Sequence, residues 1–167
     1  MRPAARGNAA ASTSQLKAES KPDAVAVVVL RVRGAESEVL LLRRAQGAFV
    51  GAWTFVMGGI EGGERASDAA RRELTEETGL AATALFTAGE LDAFYDPVRD
   101  RIVHVPFFVA HAGAGDVALE ADVHDEHRWV TFAQAADLLE FASHRRVLDE
   151  IQREFVGRAP QSWRAIR

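Results

Sequence analysis

Six carboxylates crowd the twenty-three residues from Gly58 to Leu80: Glu61, Glu64, Asp68, Glu73, Glu76 and Glu77. Glu73, Glu76 and Glu77 stand at i, i+3 and i+4, so on a helix their side chains leave from one side. Like charges that close destabilise a helix by a few tenths of a kcal/mol per pair, about 0.2–0.5. A cation offsets that repulsion, and ligands that are all oxygen suit Mg²⁺, Mn²⁺ or Ca²⁺ rather than a soft metal. The chemistry expected of this stretch is that of a hard divalent cation.

Such a cluster must be held by a scaffold. Ahead of it, Ala24–Arg33 is β-branched and almost wholly apolar, the pattern of a strand covered on both faces. A polar turn, Gly34–Glu38, leads to a second strand over Val39–Arg44, and the two form an expected hairpin. Gln46–Gly51 reads as a loop bearing Phe49, and Trp53–Met57 as an extended lead into the glycines. The carboxylate helix has Ala66, Ala69, Ala70 and Leu74 on its inner stripe, small enough to lie close to a sheet, with Gly79 at its C′ position. Its N-cap is open between Arg65 and Ser67. Ala82–Leu91 and Ile102–His111 follow as strands, and Ala112–Gly115 as a turn. Arg128–Val130 is a last short strand. Thr131 with Gln134 makes a capping box for one helix, and Ser143 is placed to cap another whose inner face is Val147, Leu148, Ile151 and Phe155. These elements predict an α/β chain with a mixed sheet covered by helices. Residues 1–22 read as a disordered tail, 23–158 as one domain and 159–167 as a C-terminal tail.

Composition narrows the function. With 167 residues and 48% hydrophobic content the chain can bury a real core, and a net charge of −4 argues against a binder of nucleic-acid polymers. No cysteine is present, which excludes disulfides and thiolate sites and fits a cytoplasmic setting. No apolar run is long enough to span a bilayer, and no apolar segment follows Arg2 and Arg6 to make a secretory signal.

Gly58, Glu64, Arg72, Glu73, Leu74, Glu76, Glu77, Gly79 and Leu80 fill every fixed position of the pattern Gly, five residues, Glu, seven residues, Arg-Glu-Leu-x-Glu-Glu-x-Gly-Leu. In this the chain resembles the Nudix hydrolases. The resemblance implies an α/β/α sandwich whose loop-helix-loop holds Mg²⁺, with Mn²⁺ as the alternative. It also implies hydrolysis of a nucleoside diphosphate linked to another group, and often a homodimer. By the same resemblance Glu73, Glu77 and Glu76 are metal ligands, joined by the Gly58 carbonyl. Glu73 is the first choice of base among the catalytic residues Glu73, Glu76 and Arg72. Arg72, four residues before Glu76, is expected to orient a carboxylate by a charge-assisted bond. Glu61 and Glu64 are candidates to reach metal, with stabilisation of the helix start as the other reading of Glu64.

Outside the box, Trp53-Thr-Phe-Val-Met-Gly58 and His124-Asp-Glu-His-Arg-Trp-Val130 resemble the dihydroneopterin triphosphate and dATP pyrophosphatase branch, and the second stretch also the diadenosine tetraphosphate hydrolases. That branch usually carries Glu just before the His, where it adds a metal ligand; here Val123 stands there, with Asp122 and Glu126 as the expected replacements. Arg43 and Arg44 are candidates for substrate phosphates, at most one of them because neighbours on a strand face opposite ways. Phe49, Trp53, Phe94 and Tyr95 are candidates to stack on a base, against a default of core packing. His104, His111, His124, His127 and His144 lack zinc spacing and are expected as surface or strand polar residues. The leading expectation is a pyrophosphohydrolase acting on a nucleoside triphosphate or a pterin relative. The alternatives are a dinucleoside polyphosphate hydrolase, a non-catalytic nucleotide-binding module, and an isomerase acting on an isoprenoid diphosphate.

Overall fold

The computed structural model describes residues 21–33, 35–113 and 115–167; the expected tail over residues 1–22 lies almost wholly outside them. Strand β1 (Ala24–Arg33) is the centre of the fold. Its apolar run is continuous because both faces are covered. Val25, Val27 and Val29 join one buried cluster with Ala69, Ala70 and Leu74, while Ala26, Val28 and Leu30 join another with Phe55, Phe107, Leu148 and Ile151. The remaining elements are β2 (Glu36–Arg44), β3 (Trp53–Thr54), β4 (Val56–Gly59), α1 (Ala66–Thr78), β5 (Ala82–Asp96), β6 (Arg101–Ala112), β7 (His124–Thr131), α2 (Phe132–Leu138) and α3 (Ala142–Phe155). Helix α1 covers one face of a seven-stranded sheet, and α2 with α3 the other. This is the expected mixed α/β/α sandwich, with β1 and β6 parallel and every other pairing antiparallel.

The sheet splays at one end. β1 and β2 pair only between Leu30–Arg33 and Val39–Glu36. Beyond that, β4 takes the edge of β1, with Val25 opposite Gly58, and β3 takes the edge of β2, with Arg43 opposite Trp53. Phe55, fully buried, fills the reversal between them. The splay brings Arg44, the loop over residues 45–52, and Gly58 to the same end of the sheet.

Several local expectations are corrected. Helix α1 starts after Arg65, whose side chain makes no cap bond, so Ser67 is inside the helix rather than capping it. Its far end is as expected: Gly79 sits at φ 70° and donates its N–H to Thr75 O at 2.8 Å. The Thr131–Gln134 capping box is present in full. Helix α3 begins one residue before the expected cap, with Phe141 at the N-cap, so Ser143 lies in its first turn. β5 and β6 run on to Asp96 and from Arg101, because the pairs Leu91–Pro106 to Asp96–Arg101 continue as a ribbon past a bulge at Thr87–Leu91. β7 is eight residues rather than three, since β2 pairs with it from Glu38 to Arg44. Residues 159–167, expected as a tail, lie against β5: Ile166 donates to Leu85 O at 2.9 Å and the Arg164 guanidinium bonds Ala88 O. Among the described residues no helix is long and apolar enough to cross a membrane.

Candidate active site

Helix α1 crosses the sheet directly over β4 with its alanines inward, so the next residues round the helix, Glu73 and Glu77, are carried down beside the Met57–Gly58 backbone. Glu73 is 9% exposed and Glu77 4%. The Glu73 carboxyl lies so close over Gly58 that a Cβ at that position would overlap it. Gly58 thus leaves room for the Glu73 carboxyl, which a side chain at this position would displace. Glu77 accepts a 3.2 Å bond from the Met57 N–H. Burial pushes its carboxyl up to about 8, helped by the charges of Glu73 and Glu120 and opposed by the Met57 bond and Arg44. Burial likewise raises Glu73, partly offset by Arg72.

Arg72 organises the rest. Its guanidinium donates to Glu64 through Nε at 3.1 Å and Nη2 at 3.0 Å, a two-pronged bond. It also donates to Glu73 at 2.8 Å, Glu76 at 2.9 Å and the Gly59 carbonyl at 2.8 Å. The bonds to Glu64 above all, then to Glu76 and Glu73, raise its already high pKa, and Arg72 lowers that of Glu64 in turn. Glu64 also accepts the Glu61 N–H at 3.1 Å, closing the turn ahead of the helix. Among the described residues no three acidic or imidazole side chains converge as a finished ligand set. The reason is visible: Glu64, Glu73 and Glu76 turn toward Arg72, while Glu77 turns toward Met57. The donor set nonetheless fits a hard divalent cation. It is all oxygen, two of its carboxyls are buried, and the one guanidinium among these four acids bonds Glu64, Glu73 and Glu76 but not Glu77.

Arg44 approaches from β2 on the α1 face, near enough for its charge to act on both Glu77 and His124. Arg43 points the other way. It pairs with Asp125 at 2.7 Å and Glu126 at 2.9 Å, and Glu126 is bonded in turn to Arg128 at 2.7 Å. Arg128 lies 4.7 Å over the Trp53 ring. Arg43, Glu126 and Trp53 thus belong to the α2/α3 face, away from the carboxylates, and Glu126 is not beside Glu77. Trp53 is core, 9% exposed, whereas Phe49, Phe94 and Tyr95 are 62%, 48% and 55% exposed, against the core-packing default. Tyr95 sits on the β5–β6 ribbon and donates to Asp100 at 2.8 Å. His124 and His144, expected to be surface or strand polar residues, are 2% and 3% exposed; burial holds both near a pKa of about 4.

One acid was missed by the sequence reading. Glu120 donates its N–H to Glu77 O at 3.3 Å, directly after the end of α1, and its carbonyl accepts from Val123 and His124 at 3.0 Å. The missing acid at Val123 was the available signal, but Asp122 and Glu126 are closer in sequence, and it is the segment over residues 118–120, with Ala118 N–H donating to Thr78 O at 2.8 Å, that lays Glu120 against the end of α1.

The arrangement can be compared with known proteins. A profile of the NUDIX domain matches residues 21–151, more than three quarters of the chain. The chain belongs to the NUDIX family. An octanoyltransferase of Myxococcus xanthus is 34% identical over 132 residues, 74% of this chain and 35% of that protein, so the match spans about a third of that relative. An RNA pyrophosphohydrolase of Novosphingobium aromaticivorans is 31% identical over 122 residues, 62% of this chain and 74% of that one. Among solved structures, a C. elegans Ap4A hydrolase superposes with TM-score 0.69 at 22% identity, covering 81% of this chain and 98% of the other. The E. coli dihydroneopterin triphosphate pyrophosphohydrolase superposes with TM-score 0.61 at 22% identity, covering 80% and 97%. At these identities the superpositions speak for the NUDIX fold alone.

Proposed function

We propose that the chain is a cytoplasmic, divalent-metal-dependent pyrophosphohydrolase that cleaves a phosphoanhydride bond in a nucleoside triphosphate or a related compound such as a pterin triphosphate. The observation that carries this reading is the Glu73 carboxyl folded over Gly58 beside the buried Glu77, with Arg72 fixing the cluster from behind. Glu73, Glu76, Glu77 and the Gly58 carbonyl would hold Mg²⁺ or Mn²⁺, and Glu120 takes the part of the acid absent at Val123. The cation, when bound, screens the diphosphate charge and lowers the pKa of a bound water. The protein's own share is positioning and proton transfer. Arg72 sets the carboxylate rotamers through its bonds to Glu64, Glu73 and Glu76. Glu73 takes the proton as the water oxygen bonds to phosphorus, and the broken P–O bond leaves its electrons on the departing phosphate. Arg44, on the same face, meets the phosphate charge from the β2 side.

The test is incubation of the full chain and Mg²⁺ with dATP, a pterin triphosphate, a dinucleoside tetraphosphate and 5′-triphosphorylated RNA, with products identified. Release of pyrophosphate from a triphosphate supports the reading. Cleavage of the dinucleoside alone redirects the substrate class. Failure to cleave any, or a Glu77→Gln chain as active as the wild type, removes the proposed mechanism.

A further inference from the structure

Phe49 is an aromatic residue in a left-handed backbone conformation, φ 62°, with 62% of its surface exposed. A bulky residue in that region is strained, and exposure gives it no burial in return. The loop that holds it is fastened closely. Arg44 N–H donates to Ala52 O at 3.1 Å, Gly51 N–H to Arg44 O at 2.9 Å and Ala52 N–H to Phe49 O at 3.1 Å. The Arg44 Nε adds a 2.9 Å bond to Ala48 O. Gly47 and Gly51, at φ 76° and 86°, supply the reversals. The ring is backed too: it meets Phe141 edge to face with centroids 5.1 Å apart. Phe141 rests on His144 at 5.2 Å, and His144 on the buried Phe55 at 5.2 Å. A row of aromatic rings therefore runs from the core to a fixed, solvent-facing ring at the carboxylate end of the sheet.

We propose that Phe49 is a stacking platform for the planar heterocycle of the substrate, held at the carboxylate end of the sheet by the loop that Arg44 fastens. The inference rests on the reading that a nucleoside or pterin triphosphate has its phosphates at Glu73 and Glu77, and it adds which side chain receives the ring. Such a substrate passes its phosphates along Arg44 and its ring round the end of the sheet. Stacking on an aromatic face tolerates different bases, since each has a π-face. A protein partner is the poorer occupant: Phe49 and Val50 are the exposed large apolar residues of this loop, far short of the roughly 800 Å² per side of a standard interface.

The experiment is calorimetric titration of the full chain, in Ca²⁺, with dATP and separately with inorganic tripolyphosphate, which has the anhydrides and no ring. The wild type is compared with Phe49→Ala, Phe49→Leu and Phe49→Tyr. Phe49→Ala is expected to weaken dATP binding about tenfold or more, to leave tripolyphosphate unchanged, and to be restored by Tyr better than by Leu. Melting temperatures are expected to be unchanged. The proposal is overturned if Phe49→Ala weakens both ligands alike, if it weakens neither, or if it lowers the melting temperature as loss of a core residue would. Where dATP binds and loses affinity in Phe49→Ala but no substrate is cleaved, the hydrolytic reading fails and the stacking site stands.

Discussion

Two arginine-centred charge networks lie on opposite faces of the same sheet end, and they are built for different purposes. On the α2/α3 face Arg43 and Arg128 meet Asp125 and Glu126, two cations to two acids, with Glu126 shared and Trp53 beneath Arg128. The side chains of Asp125, Arg43 and Arg128 are 47%, 37% and 48% exposed, so water screens what the pairs leave over. On the α1 face Arg72 serves Glu64, Glu73 and Glu76, while Glu77 sits buried beside them without a guanidinium of its own. The first network is balanced and complete. The second sets four carboxyls against one guanidinium in a place where charge is expensive, and burial pushes Glu77 up to about 8. Such an arrangement is what the proposed cation would complete, and the contrast marks the α1 face more clearly than counting acids.

The contrast can be broken or sharpened in order of effect. Glu77→Gln is expected to lower kcat by at least about a hundredfold, the scale of losing a preorganised electrostatic group, while the metal-free protein melts at the same or a higher temperature because a neutral amide of the same shape replaces a carboxyl whose ionisation burial opposes. Kinetics with a parallel melting curve check it, and a large loss of stability would place Glu77 among purely structural residues. Arg72→Lys follows: an ammonium cannot span Glu64, Glu73 and Glu76 at once, so Mg²⁺ affinity should fall about 10–100-fold, as expected when a ligand's orienting partner is lost, read as the shift in Mg²⁺ dependence of turnover. Arg43→Ala, on the balanced face, should change stability by no more than about 1 kcal/mol and kcat by less than about threefold. A collapse of activity there would bring the opposite face into the site.

The smallest effect is on pH. His144 and His124 have folded-state pKa values of about 4, held down chiefly by burial, against 6.5 when unfolded. Between those limits the unfolded chain binds more protons at these two histidines than the folded one, so their contribution to stability falls as pH drops from about 6.5 toward 4, opposed by Glu77, whose raised carboxyl takes its proton first in the folded chain. Melting temperatures at pH 7 and pH 5 should show the drop, and His144→Phe, which suits an aromatic setting of Phe55, Phe107 and Phe141, should make it shallower.

The sequence was legible where a local pattern carries the physics. The spacing of Glu73, Glu76 and Glu77, the alanine stripe of α1, Gly79 and the Thr131–Gln134 box each act within a few residues, and the structure has them as expected. It was opaque where distant strands decide. That Arg43 and Glu126 share the face away from α1 depends on the β2–β7 register, which no window of either strand contains. The exposure of Phe49 depends on a loop closed by Arg44 and Ala52, and the nearness of Glu120 to Glu77 on a segment that returns along the end of α1 some forty residues later. His144 looked like a surface residue because its aromatic surroundings come from β3–β4, β6 and the segment before α3.

The central claim is that the α1 carboxylates hold a hard divalent cation, and Mn²⁺ binding followed by electron paramagnetic resonance tests it most directly. The wild-type chain is expected to remove Mn²⁺ from the free-ion signal saturably, Mg²⁺ to compete it back, and Glu77→Gln to bind about tenfold or more weakly. Equal binding by wild type and Glu77→Gln, or no saturable binding by the wild type, would contradict it.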